Sequence, residues 1–590
     1  MFDTAIVIMT SIDELFRKPN LPSSHAQGKR KFEATDAHEV YKSAKLSSNS
    51  DAKGKSKGAA HVEDAEDDDT EAGPEPPPED ETGADDEGRF FGGGVTRNTT
   101  DALDYLEDAD GEELEEEKMD TAWVRRLVTN LGRKITLNSE QRAKFEDSPQ
   151  KFMASEADLD AEIKSLSILT EHDQFYTEFT QSGGAAHLVS LLAHENTDIA
   201  INAIEIIAEL IDEDVQAEQD QWDTLVEAML EADLVGLLAS NLDRLHEQQH
   251  ESDRQGVYHS LAVLEGLASQ ANIVERIGHE TVIKYLLKRI RVAEAPVGQN
   301  QQYAAEVLQV LLQTSSVVRR QFIKLEGVDT LLQLLSAYRK KDPEKDSHEE
   351  EYVEDLFDAL TCVVDETDGK HAFVHGEGME LMLIMLKEGK LSKARGLNVI
   401  DHATGRHGQE VCERLVDAAG LKTIFSVFMK KPENAAAEHL LGIFSALLRC
   451  LPGESASRIR TLGKFVEKEY EKIGRLLDLR TYYAARVAAV DAEIATEQES
   501  ASEGQRQERA TEWYSRRLDA GLYCLRTVNV VLAWLAAEDM GAKQRIIVLL
   551  AKRGEKLGAI RSSLDQQLTE MENNEDEGTA EMLNALKGCL

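Results

Sequence analysis

Residues 182–215 constrain the fold more than any other stretch of the chain. They contain two amphipathic helical patterns separated by a polar break at residues 194–198. Asn196 or Thr197 can cap the second helix, because a side-chain oxygen there can accept a hydrogen bond from an otherwise unpaired backbone N–H. A pair of short amphipathic helices cannot bury its apolar faces alone. The pattern therefore predicts that similar helix pairs pack on either side of this one.

The same arrangement recurs along the chain as a small residue, a short apolar helix, a loop and a longer helix rich in Ala and Leu. The marker glycines Gly278, Gly327, Gly378 and Gly420 lie 49, 51 and 42 residues apart. Armadillo and HEAT units span roughly 40–47 residues, and lengthened loops such as residues 339–350 account for the excess. The spacing predicts an all-α, armadillo/HEAT-like, right-handed superhelical solenoid. An irregular helical bundle is the alternative.

The regions outside the repeats differ from them in composition. Residues 1–118 include residues 63–87, a run with fourteen acidic side chains and no basic one. Such a segment has too little apolar surface to offset chain entropy, so we predict a disordered acidic tail. Residues 119–181 and 453–590 show helical periodicity without the repeat. We predict that they are helical caps, because the terminal units of the repeat region 182–452 would otherwise expose apolar faces.

The charge balance restricts the class of partner. The formal net charge is −44, and phosphate groups would repel such a chain, so direct binding of nucleic acid is not expected. Basic proteins are better candidates. Within the tail, Lys29, Arg30 and Lys31 form a candidate nuclear localisation signal, with an ordinary solvated triplet as the alternative. The five cysteines never form C-x-x-C, so the sequence does not indicate a disulfide framework. A reducing compartment is therefore the expected location.

The most apolar run gives no indication of a membrane span. Residues 521–537 are interrupted by Arg526 and Asn529 and fall short of the roughly 20 residues that a transmembrane helix needs. The periodicity instead predicts one long buried helix over residues 512–537.

The sequence gives no clear indication of catalysis or of cofactor binding. G-x-S-x-G and a complete G-x-x-x-x-G-K-[ST] phosphate loop are missing from the chain. H-E-x-x-H occurs once, at residues 246–250, but it lies between two helical patterns, whereas the zinc-binding motif needs both histidines on one helix. We therefore predict a protein that is not an enzyme and binds no cofactor. His371 and His375 have the spacing of a metal-binding pair on a helix, but the sequence fixes no third ligand near them. Surface histidines without a metal are the favoured interpretation.

A solenoid without catalytic groups acts through its surface, and its inner helices line a concave groove. Aligning the longer helices of the repeats places Glu205 and Glu209, one turn apart, toward that groove. The equivalent turns of later repeats carry further polar candidates: Glu306, Asp358, Asn398 and His402. Carboxylates along the groove would suit an extended Lys/Arg-rich peptide, since charge-assisted hydrogen bonds are strong. The alternative is that these are ordinary solvated positions in a very acidic protein.

Several segments, in order along the chain, resemble the beta-catenin-like protein 1 family. They are GRFFGGGVT from Gly88, LLAHENTDIAINAIEIIAELIDED from Leu191, HGEGMELMLIMLKEGK from His375 and YSRRLDAGLYCL from Tyr514. The resemblance implies an armadillo-like fold, residence in the nucleus and association with the spliceosome through the nineteen complex. It also implies a non-enzymatic scaffold for pre-mRNA splicing, which binds basic localisation-signal segments of splicing factors, including a Myb-domain protein of that complex.

An importin-α-like nuclear transport receptor is the second functional candidate. Grooves of that kind use repeated Trp-x-x-x-Asn pairs to hold lysine side chains. The four tryptophans of this chain, at 123, 222, 513 and 534, are never followed by Asn four residues later. This difference favours the scaffold over the transport receptor. The sequence leaves open whether the protein forms a homodimer.

Overall fold

A computed structural model describes residues 119–571 and 577–590, and these residues form helices and no strands. By their contacts, residues 119–126 belong to one compact unit and the other described residues to a second. At the start of the first helix, the Asp120 carboxylate accepts a hydrogen bond from the Trp123 backbone N–H at 2.8 Å, as an N-cap does. The basic cluster Lys29–Lys31 and the acidic run 63–87 lie outside the described residues.

The α-helices are numbered in chain order. The first fourteen are α1 (Thr121–Lys144), α2 (Met153–Ser165), α3 (Tyr176–Gln181), α4 (Gly184–Ser190), α5 (Thr197–Ile211), α6 (Gln219–Glu231), α7 (Leu234–Arg244), α8 (Glu251–Ala268), α9 (Ala271–Ile277), α10 (Glu280–Ile290), α11 (Gln299–Thr314), α12 (Ser316–Lys324), α13 (Gly327–Leu335) and α14 (His348–Val363). The others are α15 (Thr367–His375), α16 (Gly378–Glu388), α17 (Leu391–Thr404), α18 (Gln409–Asp417), α19 (Gly420–Met429), α20 (Asn434–Cys450), α21 (Ala456–Ser500), α22 (Glu503–Glu508), α23 (Ala510–Asp519), α24 (Leu522–Glu538), α25 (Met540–Lys552), α26 (Gly558–Met571) and α27 (Glu577–Cys589).

Helices α3 to α20 form six successive groups of three, which we call triplets. The third helix is the longest of each triplet, and the third helices α5, α8, α11, α14, α17 and α20 pack against one another in that order. Each third helix buries an apolar face; in α5 the buried side chains include Ile199, Ile206 and Leu210. Asn196 caps α5 as predicted, its side chain accepting a hydrogen bond from the Asp198 N–H at 3.0 Å. The all-α repeat architecture predicted from the sequence is therefore confirmed.

The sequence pattern missed the first helix of each triplet, and the marker glycines explain where it lies. In the fourth triplet, the turn between the first two helices passes through Glu326 at φ 57°, immediately before Gly327. A Cβ atom on Gly327 would lie 2.3 Å from the Phe322 ring on the preceding helix, and one on Gly378 would lie equally close to Phe373. No side chain fits at that distance. The glycines thus mark the tight junction between the first and second helices of a triplet.

The prediction of one continuous helix over residues 512–537 is wrong. Helix α23 ends at Asp519 and α24 begins at Leu522, with Gly521 between them at φ +97°. A Cβ atom at Gly521 would lie 2.5 Å from the Tyr483 ring of α21. The chain therefore turns at Gly521 because only glycine combines this backbone conformation with so close a contact.

The break between α23 and α24 also bears on membrane insertion. Across residues 119–571 and 577–590, no single helix is both long and apolar enough to cross a membrane. Helices α23 and α24, which are bent by 62° at their junction, reach that length and composition only when taken together. In α24 most of the apolar side chains are buried in the protein, including Val528, Val531 and Leu535.

Candidate peptide-binding surface

The six predicted groove residues lie on four of the stacked third helices. Glu205 and Glu209 are on α5, Glu306 is on α11, Asp358 is on α14, and Asn398 and His402 are on α17. Because α8 packs between α5 and α11, the two glutamates of α5 are separated from the other four residues by one whole triplet. The structure thus brings the candidates onto one series of helices and not into one cluster.

Glu205 and Glu209 lie one turn apart on α5, and their immediate contacts are with neutral groups. The Ser167 hydroxyl donates a hydrogen bond to Glu209 Oε2 at 2.7 Å. His259 of α8 places its Nε2 3.7 Å from Glu205 Oε1. Burial lowers the pKa of His259, which the charge of Glu209 raises in part, so this imidazole is neutral at pH 7. Neither of these contacts therefore brings a positive charge to the two carboxylates.

Partial burial makes Glu205 easier to protonate than a free glutamate. Loss of solvation raises its pKa above the ordinary 4.5; nearby Lys164 lowers it in part, and Asp160 raises it. Lys164 in turn pairs with Asp160 at 2.9 Å. The Glu205 side chain remains 40% exposed. It is therefore accessible to a ligand, and a cation that approaches it would favour its ionised form.

Glu306 is held within a polar contact between α11 and α14. The buried Gln302 side chain donates a hydrogen bond to Glu306 Oε2 at 3.2 Å and another to Asp355 Oδ2 of α14 at 3.3 Å. Gln302 is 1% exposed, so its amide joins the two helices from within the protein. Glu306 consequently has one oxygen engaged by its own helix, and its position is fixed by a neighbouring residue.

Asp358 differs from Glu205 because a cation from the next triplet is bound to it. Arg395 of α17 places one guanidinium nitrogen 3.5 Å from Asp358 Oδ1 and another 2.8 Å from Glu354 Oε1. Burial raises the pKa of Asp358, and Arg395 lowers it in part. The Asp358 side chain is only 14% exposed. At this turn the carboxylate therefore has an internal partner and little accessible surface.

The two candidates on α17 are also partly enclosed. Asn398 is half-buried. His402 lies with its Nδ1 3.3 Å from both oxygens of Asp365, and its backbone carbonyl accepts a hydrogen bond from Lys370 Nζ at 3.0 Å. These contacts fix the end of α17 against α15, the first helix of its own triplet, and against Asp365 just before it. His402 is thus engaged in holding the fold together at this point.

A polar contact joins each third helix to the next, and we call these contacts rungs. They are Glu205–His259, Glu265–Tyr303, Gln302–Asp355, Asp358–Arg395 and Asp401–His439. Sequence reasoning missed His259 and Arg395, because it aligned carboxylates with carboxylates and left α8 out of the series. The signal that could have found them is a basic or imidazole side chain at the same turn of the following third helix.

Comparison with known proteins gives a consistent result. Residues 100–565 match the family described as catenin-beta-like, Arm-motif containing, nuclear. The beta-catenin-like protein 1 homolog of Schizosaccharomyces pombe is 34% identical over 468 residues, which cover 79% of this chain and 81% of the relative. Human beta-catenin-like protein 1 is 33% identical over 459 residues, which cover 75% of this chain and 81% of the relative.

Among solved structures, the crystal structure of an engineered protein matches 73% of this chain and 94% of its own, with a TM-score of 0.46 and 15% identity. The family match spans α1 to α25, including all six triplets, and ends within α26. The relatives named above, which are about one third identical over most of their own length and of this chain, indicate the same family. The resemblance found in the sequence and the armadillo-like fold are therefore confirmed. The chain belongs to the family of catenin-beta-like, Arm-motif containing nuclear proteins.

Proposed function

We propose that this protein is a non-enzymatic interaction scaffold in the nucleus, associated with the spliceosome through the nineteen complex in pre-mRNA splicing. In this role it binds basic localisation-signal-like segments of splicing factors, including a Myb-domain protein of that complex. Membership of an armadillo-motif family described as nuclear supports the location and the scaffold role. The relatives named beta-catenin-like protein 1 support the link that the sequence resemblance implies.

One observation carries the peptide-binding part of the proposal. Glu205 and Glu209 lie one turn apart on α5, and the groups that contact them, His259 and Ser167, are neutral at pH 7. A peptide with Lys or Arg side chains would supply cations in direct contact with these carboxylates, whereas the nearby Lys164 is itself paired with Asp160. We therefore assign the first contact to the α5 carboxylates, with Glu306 extending the surface. Asp358, Asn398 and His402 contribute less, because their polar groups are buried or already engaged in contacts.

The importin-α-like transport receptor remains the second candidate, and the indole contacts count against it. Trp222 donates a hydrogen bond to the Ile211 carbonyl at 3.4 Å, and the buried Trp513 donates one to Glu497 at 2.9 Å. Arg458 stacks on the Trp534 ring, with its guanidinium carbon 4.8 Å from the ring centroid. These three indoles serve the fold, and none of them belongs to the series of third helices from α5 to α20.

Charge reversal at α5 tests the proposal directly. Glu205→Lys combined with Glu209→Lys should weaken binding of a labelled Lys/Arg-rich localisation-signal peptide at least about tenfold, or about 1.4 kcal/mol. Fluorescence anisotropy at several ionic strengths measures the affinity. The affinity of the parent should fall as salt increases, because exposed charges are screened over about 8 Å at physiological ionic strength.

A matched control carries the same change in net charge at a distant site. Glu499→Lys with Glu508→Lys alters two exposed side chains near α22, in the C-terminal cap. This control should bind the peptide as the parent does. If both double variants lose affinity equally, the effect comes from net charge and the α5 site is wrong. An unchanged thermal midpoint in each variant shows that the fold is intact.

Affinity capture from nuclear extract separates the two functional candidates. Splicing factors in the eluate, lost with the α5 reversal and kept with the control, would support the scaffold. Karyopherins together with their cargo proteins would support the transport receptor instead.

A further inference from the structure

The fifth and sixth triplets bring together three side chains that the peptide surface does not use. His371 and His375 lie four residues apart in α15, so both imidazoles project from the same face of the helix. Their ring centroids are 4.2 Å apart. Glu410, in the first turn of α18, places its Oε2 3.2 Å from His371 Nδ1. Because α15 packs against α18, residues 35 or more positions apart in sequence meet at one point on the surface.

These distances are close to those of a metal site. One ligand atom from each of His371, His375 and Glu410 lies within 4.8 Å of the other two. Around a tetrahedral zinc ion bound at about 2.0–2.2 Å, neighbouring ligand atoms are roughly 3.3 Å apart. The His371–Glu410 distance already has this value. The distances from His375 to the other two ligands can reach this value through side-chain rotation, because all three residues are exposed.

The donor set indicates which ions would bind. Imidazole nitrogens suit zinc and other late transition metals, whereas calcium and magnesium prefer sites made of oxygen alone. Two histidines and one carboxylate are a known zinc donor set, which leaves the fourth position to water. We propose that His371, His375 and Glu410 form a site for a divalent transition-metal ion, with zinc as the ion that fits best. This site goes beyond the proposed scaffold function and does not depend on it.

The site has a structural consequence, because its ligands come from the first helices of two adjacent triplets. An ion held by α15 and α18 links the two triplets at the surface. Sequence reasoning recognised the histidine pair but missed Glu410, since the first helices of the triplets were not apparent from the repeat pattern. The competing explanation is a simple hydrogen bond between His371 and Glu410, in which His375 has no role.

The test uses the untagged full-length protein and ZnSO₄ as the probe. Isothermal titration calorimetry should show one zinc site at this location, and saturating zinc should raise the thermal unfolding midpoint. His371→Ala, His375→Ala and Glu410→Gln should each lower the zinc affinity at least about tenfold, since even residues outside the ligand set can change it 10–100-fold. Cobalt(II) should give the visible d–d absorption of a tetrahedral site without thiolate charge transfer.

His279→Ala is the matched control. His279 is an exposed histidine beside the exposed carboxylate of Glu280, so its loss removes one surface imidazole without touching the site. The control should bind zinc as the parent does. Glu410→Gln preserves side-chain size, and circular dichroism checks that each variant is folded.

Three results would overturn the proposal. The first is a parent protein that neither binds zinc at micromolar concentration nor changes its thermal midpoint. The second is a set of three folded variants whose zinc affinity equals that of the parent, which would place the bound ion elsewhere. Loss of affinity in the His371 and Glu410 variants but not in His375→Ala would also contradict the three-ligand site.

Discussion

Glu205 and Asp358 occupy equivalent turns of two third helices, yet their surroundings give them different roles. Burial raises the pKa of both carboxyl groups. The next third helix places a neutral imidazole, His259, beside Glu205, and a guanidinium, Arg395, beside Asp358. The repeat thus determines where a carboxylate lies, while the following triplet determines whether its charge is available to a ligand. The α14 end of the proposed surface therefore has a guanidinium in contact with its carboxylate, and the α5 end has a neutral imidazole in that place.

Removing the internal cation should produce the largest effect. Arg395→Ala leaves Asp358 and Glu354 close together without their partner, in a place where Asp358 is mostly shielded from water. A buried charge without a partner destabilises the folded state, so we expect a loss of about 2 kcal/mol in the free energy of unfolding. Urea denaturation followed by circular dichroism measures the change.

Arg276→Ala is the matched control for this loss. Arg276 pairs with Glu227 at 2.6 Å, but both side chains are about half exposed. Ion pairs of this kind contribute about 0.2–1 kcal/mol. If the two variants lose the same free energy of unfolding, the ion pair of Asp358 contributes no more than an exposed surface pair.

Neutralising the carboxylates should separate the two ends of the surface by affinity. Glu205→Gln with Glu209→Gln should weaken binding of the basic peptide about fivefold, because each exposed ion pair contributes up to about 1 kcal/mol. Asp358→Asn should change the affinity less than about twofold, since Arg395 already neutralises this carboxylate. Fluorescence anisotropy on folded samples compares the variants. A larger loss with Asp358→Asn would reverse the assignment of the two ends.

Acidification should have the smallest effect, and it should act on the α5 end. The pKa of Glu205 is raised by burial above 4.5, so folding favours its protonated form. Its contribution to stability is therefore largest at low pH and is lost as pH rises from 4.5 through the folded pKa. Peptide binding follows the opposite trend, because it needs the ionised carboxylate.

The expected result is a rise of a few-fold in peptide affinity between pH 4.5 and pH 7, measured in one buffer series. Glu205→Gln should flatten part of this rise, whereas Asp358→Asn should leave it unchanged. Protonation of His259 below its lowered pKa works in the same direction, because an imidazolium beside Glu205 competes with the peptide. A profile that Glu205→Gln does not alter would assign the pH dependence to other groups.

Features that depend on local sequence could be predicted, and features that depend on packing could not. The Asn196 cap and the apolar face of α5 follow from residues within one helix, and the structure contains both. The turn at Gly521 depends on Tyr483, a residue 38 positions earlier on another helix. The amphipathic pattern continues smoothly across that turn, so it predicted a single helix.

The same distinction holds for the candidate site. Alignment of the repeats found Glu205 and Asp358 because carboxylates recur at equivalent turns. It could not find that Arg395 neutralises Asp358, since the two side chains meet only when α14 packs against α17. It equally could not join Glu410 to the histidines of α15. Contacts between triplets are set by the stacking geometry, which spacing alone does not specify.

The rungs have a further consequence for the modularity of the chain. Successive rungs use different combinations of side chains, from carboxylate with imidazole to amide with carboxylate and carboxylate with guanidinium, and only the carboxylate–imidazole pair occurs twice. The triplets are therefore not freely interchangeable, because neighbouring junctions are matched by different side chains. Deleting residues 219–268 would set α5 against α11, which contains no histidine to meet Glu205. The side chains at each junction between triplets therefore help to specify the order in which the triplets stack.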